Sequence, residues 1–147
     1  MAFDKSLFIR RFVDEAREHC AALNEGLLSL ESTPNDVDVI NKVFRAAHSI
    51  KGSSRMMKLL AISTVSHKME DILDALKQQR LVVSSDLLDV LFRGVDTIVE
   101  LLDQTSSGVE GLEPPPSICY ALEGALEGKF PTVIEASNLD ADEKKPD

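Results

Sequence analysis

Four stretches of this chain repeat apolar residues at intervals of three and four, and strand-type alternation is hard to find between them. That pattern confines the fold to amphipathic helices packed on their apolar stripes. The first stretch runs from about Asp4 to Leu30, with Ile9, Phe12, Ala16, Cys20, Leu23, Leu27 and Leu30 on one stripe and Asp4 as its N-cap. Pro34 stops it. The second begins near Asn35 or Asp36 and carries Ile40, Val43, Ala47, Ile50, Ser54 and Met57. The third spans about Ser63 to Gln79, with Ile62, Val65, Met69, Ile72, Leu73 and Leu76. The fourth opens at Ser84 or Ser85 and presents Leu87, Leu88, Leu91, Phe92, Val95, Ile98, Val99 and Leu102. Gly94 lies inside it, at a cost of about 1 kcal/mol relative to Ala.

A loop holding Gly108 and Gly111 follows, and Pro114-Pro115-Pro116 leads into a shorter fifth helix, roughly Ser117 to Glu127. Short links between amphipathic helices give an all-α, antiparallel up-down four-helix bundle with an additional C-terminal helix beside it. Residues 1–130 form this domain. Residues 131–147 are polar and acidic, and read as a largely disordered tail or the start of a linker.

Composition removes several functions. Lys and Arg number 16 against 25 Asp and Glu, a formal charge of −9. Phosphate backbones and anionic membranes need clustered cations, so no nucleic acid and no membrane partner is expected. No apolar run approaches 18 residues, and the start MAFDKSLFIR is not a signal peptide. Cys20 and Cys119 lack metal-type spacing. A cytoplasmic location follows as the expectation. Cys20 falls on the first stripe and reads as a small buried hydrophobe.

The segment that carries chemistry is Phe44-Arg45-Ala46-Ala47-His48-Ser49-Ile50-Lys51-Gly52-Ser53-Ser54. Ala47 and Ile50 lie on the buried stripe, and His48 stands about 100° round from Ala47. It should emerge at the edge of the apolar face, partly in water. Lys51 and Gly52 are its neighbours one turn on. An imidazole that takes a phosphoryl group from one partner and gives it to another must be reachable. A cation one turn away offsets the transferred charge. A residue without a side chain leaves room for a partner's active site to close over the ring. Phe44 is equally compatible with core packing and with a docking patch.

The third helix supplies His67 and Glu70 on one flank of its packing face. If the second and third helices are antiparallel neighbours, the two flanks can meet. A carboxylate bonded to Nδ1–H of His48 would fix the tautomer, leave Nε2 free to attack and stabilise a cationic ring.

His48-Ser49-Ile50-Lys51-Gly52 resembles the His-x-x-Lys-Gly motif of histidine-containing phosphotransfer (HPt) domains. The longer string from Ile40 to Gly52, with Phe12-Val13-Asp14-Glu15-Ala16, His67-x-x-Glu70 and the Leu-rich fourth helix, is similar to the N-terminal phosphotransfer domain of CheA-type chemotaxis histidine kinases. The resemblance implies a four-helix bundle with an extra helix. It implies that His48 is phosphorylated on Nε2 by a kinase ATP-binding domain and passes the group to an Asp of a CheY-like response regulator. It implies that Glu70 bonds Nδ1, with Lys51 and His67 completing a polar network. Ser53-Ser54 and Arg55-Met56-Met57-Lys58 depart from the family pattern, which bears on regulator specificity.

No Gly-rich phosphate loop following a strand is present. The chain is therefore expected to hold no cofactor of its own, ATP and Mg being bound by the kinase domain, and to catalyse no ATP-dependent reaction alone. It reads as a monomeric module excised from a larger kinase. Three rivals stand beside this reading. One is a free-standing relay protein fed by a receiver domain. Another is a metal centre built from His48, His67 and Glu70, although no metal site is expected on this reading. The third is an adaptor bundle without chemistry.

Overall fold

The computed structural model describes residues 4–130 and Asp140. Residues 4–130 contain five helices: α1 (Lys5–Ser32), α2 (Val37–Met56), α3 (Leu60–Lys77), α4 (Ser85–Ser106) and α5 (Pro116–Leu126). No strand occurs among the described residues. Helix α1 packs on α2 and α4, and α3 packs on α2 and α4, so the first four close a square with no diagonal contact. Helix α5 lies outside the square against α3 and α4. The expected architecture is the observed one.

The apolar stripes are the core. Leu23, Leu27, Leu30, Ile50, Ile62, Met69, Ile72, Leu73, Leu87, Leu91, Ile98 and Leu102 are fully buried. Each such side chain contributes roughly 1.5–3 kcal/mol by leaving water, so burial dominates over surface pairs such as Arg17–Asp103, worth at most about 1 kcal/mol. Gly94 has its reason here. A Cβ on it would come within 2.7 Å of the Met69 sulfur, so glycine lets α4 approach α3 closely. Gly26 does the same between α1 and α2, where a Cβ would strike Val43.

The helix starts follow side-chain caps where the sequence offers them. Asp4 accepts from Leu7 N–H, Asp36 from Asp38 and Val39 N–H, and Ser84 from Leu87 N–H. Helix α3 is the exception. It begins at Leu60, three residues before the expected Ser63, with Leu59 at its N-cap and no side-chain cap. The preceding helix supplies the turn instead. Lys58 adopts φ +61°, its N–H bonds Arg55 O at 3.0 Å and Leu59 N–H bonds Ser54 O at 2.8 Å. This Schellman turn reverses the chain straight into α3. Ser63, expected to open the helix, is buried inside it.

Cys20 is buried on α1, and burial pushes its thiol up to about 11, so little thiolate forms near neutrality. Lys68 on α3 reaches Glu123 on α5 at 2.6 Å. The expected disorder of 131–147 lies outside the described residues except at Asp140. There the carboxylate accepts from the Ser117 N–H at 2.9 Å and from its hydroxyl at 2.6 Å, at the first turn of α5. Pro115 at the N-cap of α5 has no side-chain oxygen to serve that turn.

Candidate functional site

Helices α2 and α3 are antiparallel neighbours, and the flank of one meets the flank of the other. Val43, Ala47 and Ile50 fill the interface, which turns the next position, His48, outward. Its side chain is 62% exposed. Met69 and Leu73 bury the facing stripe of α3 and bring Glu70 to the same edge, where its side chain is only 12% exposed. The ring of His48 and the carboxylate of Glu70 meet with Nδ1 2.7 Å from Oε2. An ionised carboxylate can only accept, so Nδ1 carries a proton, and in the neutral ring the lone pair is on Nε2.

Lys51, one turn after His48, donates from Nζ to the other Glu70 oxygen, Oε1, also at 2.7 Å. Glu70 therefore bridges two cation-capable groups on α2. Burial acts to raise its pKa, but the hydrogen bonds and charges of Lys51 and His48 together outweigh it and hold the carboxyl below its ordinary value. The carboxylate stays ionised beside the ring. The arrangement offers a nucleophilic nitrogen toward solvent, a fixed tautomer and a counter-charge behind the ring.

Gly52 faces open space: an added Cβ would meet nothing within 4 Å. This separates it from Gly94, whose neighbour explains it. A Gly52→Ala chain is expected to be more stable by roughly 0.8–1 kcal/mol from helix propensity alone. A Gly52→Phe chain is expected to fold but to lose docking of any partner that closes over His48. Thermal unfolding and phosphoryl-transfer rates on the two variants check both.

The structure brings together His48, Glu70 and Lys51 by hydrogen bonds and leaves His67 beside them. The Nε2 of His67 lies 3.7 Å from Asp71 on its own helix, beyond hydrogen-bond range, and its side chain is 49% exposed. His67 thus stands next to Glu70, and its ion-pair partner is Asp71 in place of the network the resemblance implied. His67, Glu70 and Asp71 hold ligand-type atoms within 4.8 Å of one another. Each Glu70 oxygen already accepts one hydrogen bond, from His48 or from Lys51, so a metal ion there would share that carboxylate with both. Sequence reasoning left Phe44 undecided and missed Lys77. The Phe44 ring is stacked on the His48 ring, with Lys77 Nζ over its face. The spacing of four between Phe44 and His48 was the available signal for the first.

A family model for the Hpt domain matches residues 8–108. The chain belongs to the Hpt domain family. This Hpt domain is 35% identical over 108 residues to the chemotaxis protein CheA of Bacillus subtilis, covering 74% of this chain and 16% of that protein. It spans a similarly small share of the other CheA proteins it matches. Among solved structures it resembles the CheA phosphotransferase domain from Thermotoga maritima, with a TM-score of 0.68 and 37% identity, over 70% of this chain and 98% of that one. The phosphorylated P1 domain of CheA3 in complex with CheY6 from R. sphaeroides shares the fold, with a TM-score of 0.76 and 21% identity over 84% of this chain and 98% of that one. The family assignment and the bundle agree with what the periodicity and the His48 motif implied.

Proposed function

We propose that this Hpt domain is the phosphotransfer module of a CheA-type histidine kinase, and that His48 accepts and donates the phosphoryl group. The observation that carries the reading is the Nδ1–Glu70 hydrogen bond on a ring otherwise open to solvent. The Nε2 lone pair attacks the γ-phosphorus of ATP held by a separate kinase domain. The P–O bond to ADP breaks and its electron pair leaves with ADP. The ring becomes cationic, with Nδ1–H still donated to Glu70 and phosphorus on Nε2. In the second step a carboxylate oxygen of a receiver Asp attacks phosphorus. The P–N bond breaks, its pair returns to Nε2, and the neutral ring is restored in the same tautomer.

Glu70 stabilises the cation formed in the first step and released in the second. Lys51 keeps that carboxylate ionised and holds it in place. Gly52 leaves the approach open. No side chain need move a proton in either step, because Nδ1 keeps its own throughout. The partners are a histidine kinase catalytic domain and a CheY-like receiver; a structure of a P1 domain with CheY6 supports the second by analogy. The domain itself acts as a monomer in the cytoplasm, and no helix among the described residues is long and apolar enough to cross a membrane.

The test is sequential transfer. The protein is phosphorylated with ATP by a CheA-type kinase core lacking its own phosphotransfer domain, purified, and mixed with a CheY-type receiver. Intact masses should show one phosphoryl group leaving this chain and appearing on the receiver. A chain that takes phosphate from a phosphorylated receiver, and never from the kinase core, would overturn the kinase-module reading in favour of a relay.

A further inference from the structure

Glu70 restrains the His48 ring through one hydrogen bond, and a single hydrogen bond on an exposed ring is a soft restraint. The covalent bond to Cβ and the 2.7 Å contact between Nδ1 and Oε2 fix the mean position of the imidazole, and bending of that contact leaves Nε2 a range of directions around it. Phosphoryl transfer is an in-line displacement for which positioning is most of the catalysis, and a 1 Å misplacement can cost on the order of 10²-fold in rate. The ring is 62% exposed, so the core does not clamp it. A second contact on the face of the ring narrows that range.

Phe44 supplies that contact. It stands one helical turn before His48 on α2, a single position beyond the buried Val43. Its ring lies nearly parallel to the imidazole, with centroids 6.2 Å apart and an interplanar angle of 16°. That is an offset stack within the range such pairs favour. Phe44 is itself held from the other helix. Lys77, in the last turn of α3, places Nζ 4.2 Å from the Phe44 ring centroid, a cation–π contact. Glu70 on α3 grips the edge of the imidazole, and Lys77, two turns further along α3, grips the ring that flanks its face. Both helices thus define one orientation of His48.

We propose that Phe44, held by Lys77, is a positioning residue that sets the plane of the His48 imidazole for phosphoryl transfer. The proposal rests on His48 being the acceptor. Glu70 and Phe44 have separate roles. The carboxylate chooses the tautomer, and the aromatic face chooses the direction in which Nε2 points. Neither Phe44 nor Lys77 offers a hydrogen-bonding group to the ring: Phe44 acts through its face and Lys77 through Phe44.

Three variants test it: Phe44→Leu, which keeps apolar bulk without a flat face; Phe44→Tyr, which restores the face; and Lys77→Gln. Carbon relaxation at His48 Cε1 reports the order of the ring, and nitrogen shifts report its tautomer. Phosphorylation by ATP and a kinase core gives kcat and KM. For Phe44→Leu the expected result is lower ring order, an unchanged tautomer, and a fall in kcat of roughly tenfold with KM little altered. Phe44→Tyr should return to within about twofold of the parent. Lys77→Gln, at an exposed position and therefore expected to fold, should lower ring order by a smaller amount.

Ring order and kcat unchanged in a folded Phe44→Leu chain would overturn the proposal, as would Phe44→Tyr being as slow as Phe44→Leu. Unchanged ring order in Lys77→Gln would remove Lys77 from it. Ring order is measured without any phosphate. If the parent protein gains no phosphoryl group, the acceptor reading fails, while the relaxation data still decide whether Phe44 orients the ring.

Discussion

A His48→Gln chain, incubated with ATP and a CheA-type kinase core, is expected to gain no phosphoryl group while the parent gains one. The loss is complete because no other side chain among the described residues presents the same chemistry. His67 lies beside Glu70 but is not hydrogen-bonded to it or to Lys51, and no carboxylate directs its tautomer toward an open nitrogen. The substitution removes an exposed ring that is hydrogen-bonded to Glu70 and stacked on Phe44, so stability should fall by about 0.5–1.5 kcal/mol with the fold retained. Intact-mass spectrometry after the kinase reaction, with thermal unfolding alongside, separates lost chemistry from lost fold. A phosphorylated His48→Gln chain would place the acceptor elsewhere.

The second large effect belongs to Glu70. Replacing it with Ala removes the acceptor for Nδ1–H and the counter-charge for the phosphorylated ring, and the rate of phosphoryl acceptance should fall by roughly 10²-fold or more. Glu70→Gln keeps an accepting oxygen and loses the charge, so it should fall less. Stability should drop as well. Glu70→Ala leaves the Lys51 ammonium, which is 15% exposed, without its partner, at a cost of about 1.5–3 kcal/mol.

The pH dependence has a defined sign. The folded Glu70 carboxyl titrates below its ordinary value of 4.5, because hydrogen bonds from Lys51 and His48 outweigh its burial. A depressed carboxylate contributes stability that is fully present above the unfolded value and is lost as pH falls through the folded one. The Glu70 contribution to the stability difference between the parent and Glu70→Ala should therefore shrink as pH falls below about 4.5. Chemical unfolding at a series of pH values reads it. A difference that grows as pH falls below about 4.5 would contradict the assignment.

The bundle was legible in the sequence because a helix buried on one side repeats its apolar residues at three and four, and the stripes read that way form the core. The ends were legible where side chains cap them, at Asp4, Asp36 and Ser84. The start of α3 was not. Its turn is made by backbone bonds around Lys58 in the left-handed region, a conformation that Gly would have signalled and Lys does not. Ser63, where the helix was expected to begin, is a buried helical residue.

The site was legible to a similar depth. The spacing on α2 puts His48 on an exposed flank and Lys51 beside it, and the antiparallel pairing brings Glu70 across. The direction His67 takes depends on a rotamer and on Asp71 one turn away, which no spacing rule fixes. Lys77 was invisible because its partner Phe44 is on another helix, and an exposed lysine at a helix C-terminus already has a sufficient explanation in the helix dipole. Gly94 looked like a local cost, and its reason, Met69 on α3, is likewise a contact between helices.

The chemistry assigned to this site turns on Glu70 holding the proton on Nδ1 and so delivering Nε2 to phosphorus. Nuclear magnetic resonance of the phosphorylated protein, labelled with nitrogen-15 in its histidines, decides the point. Phosphorus should couple to Nε2 of His48, with Nδ1 still protonated. Coupling to Nδ1 of His48, or to any other histidine, would overturn the assignment.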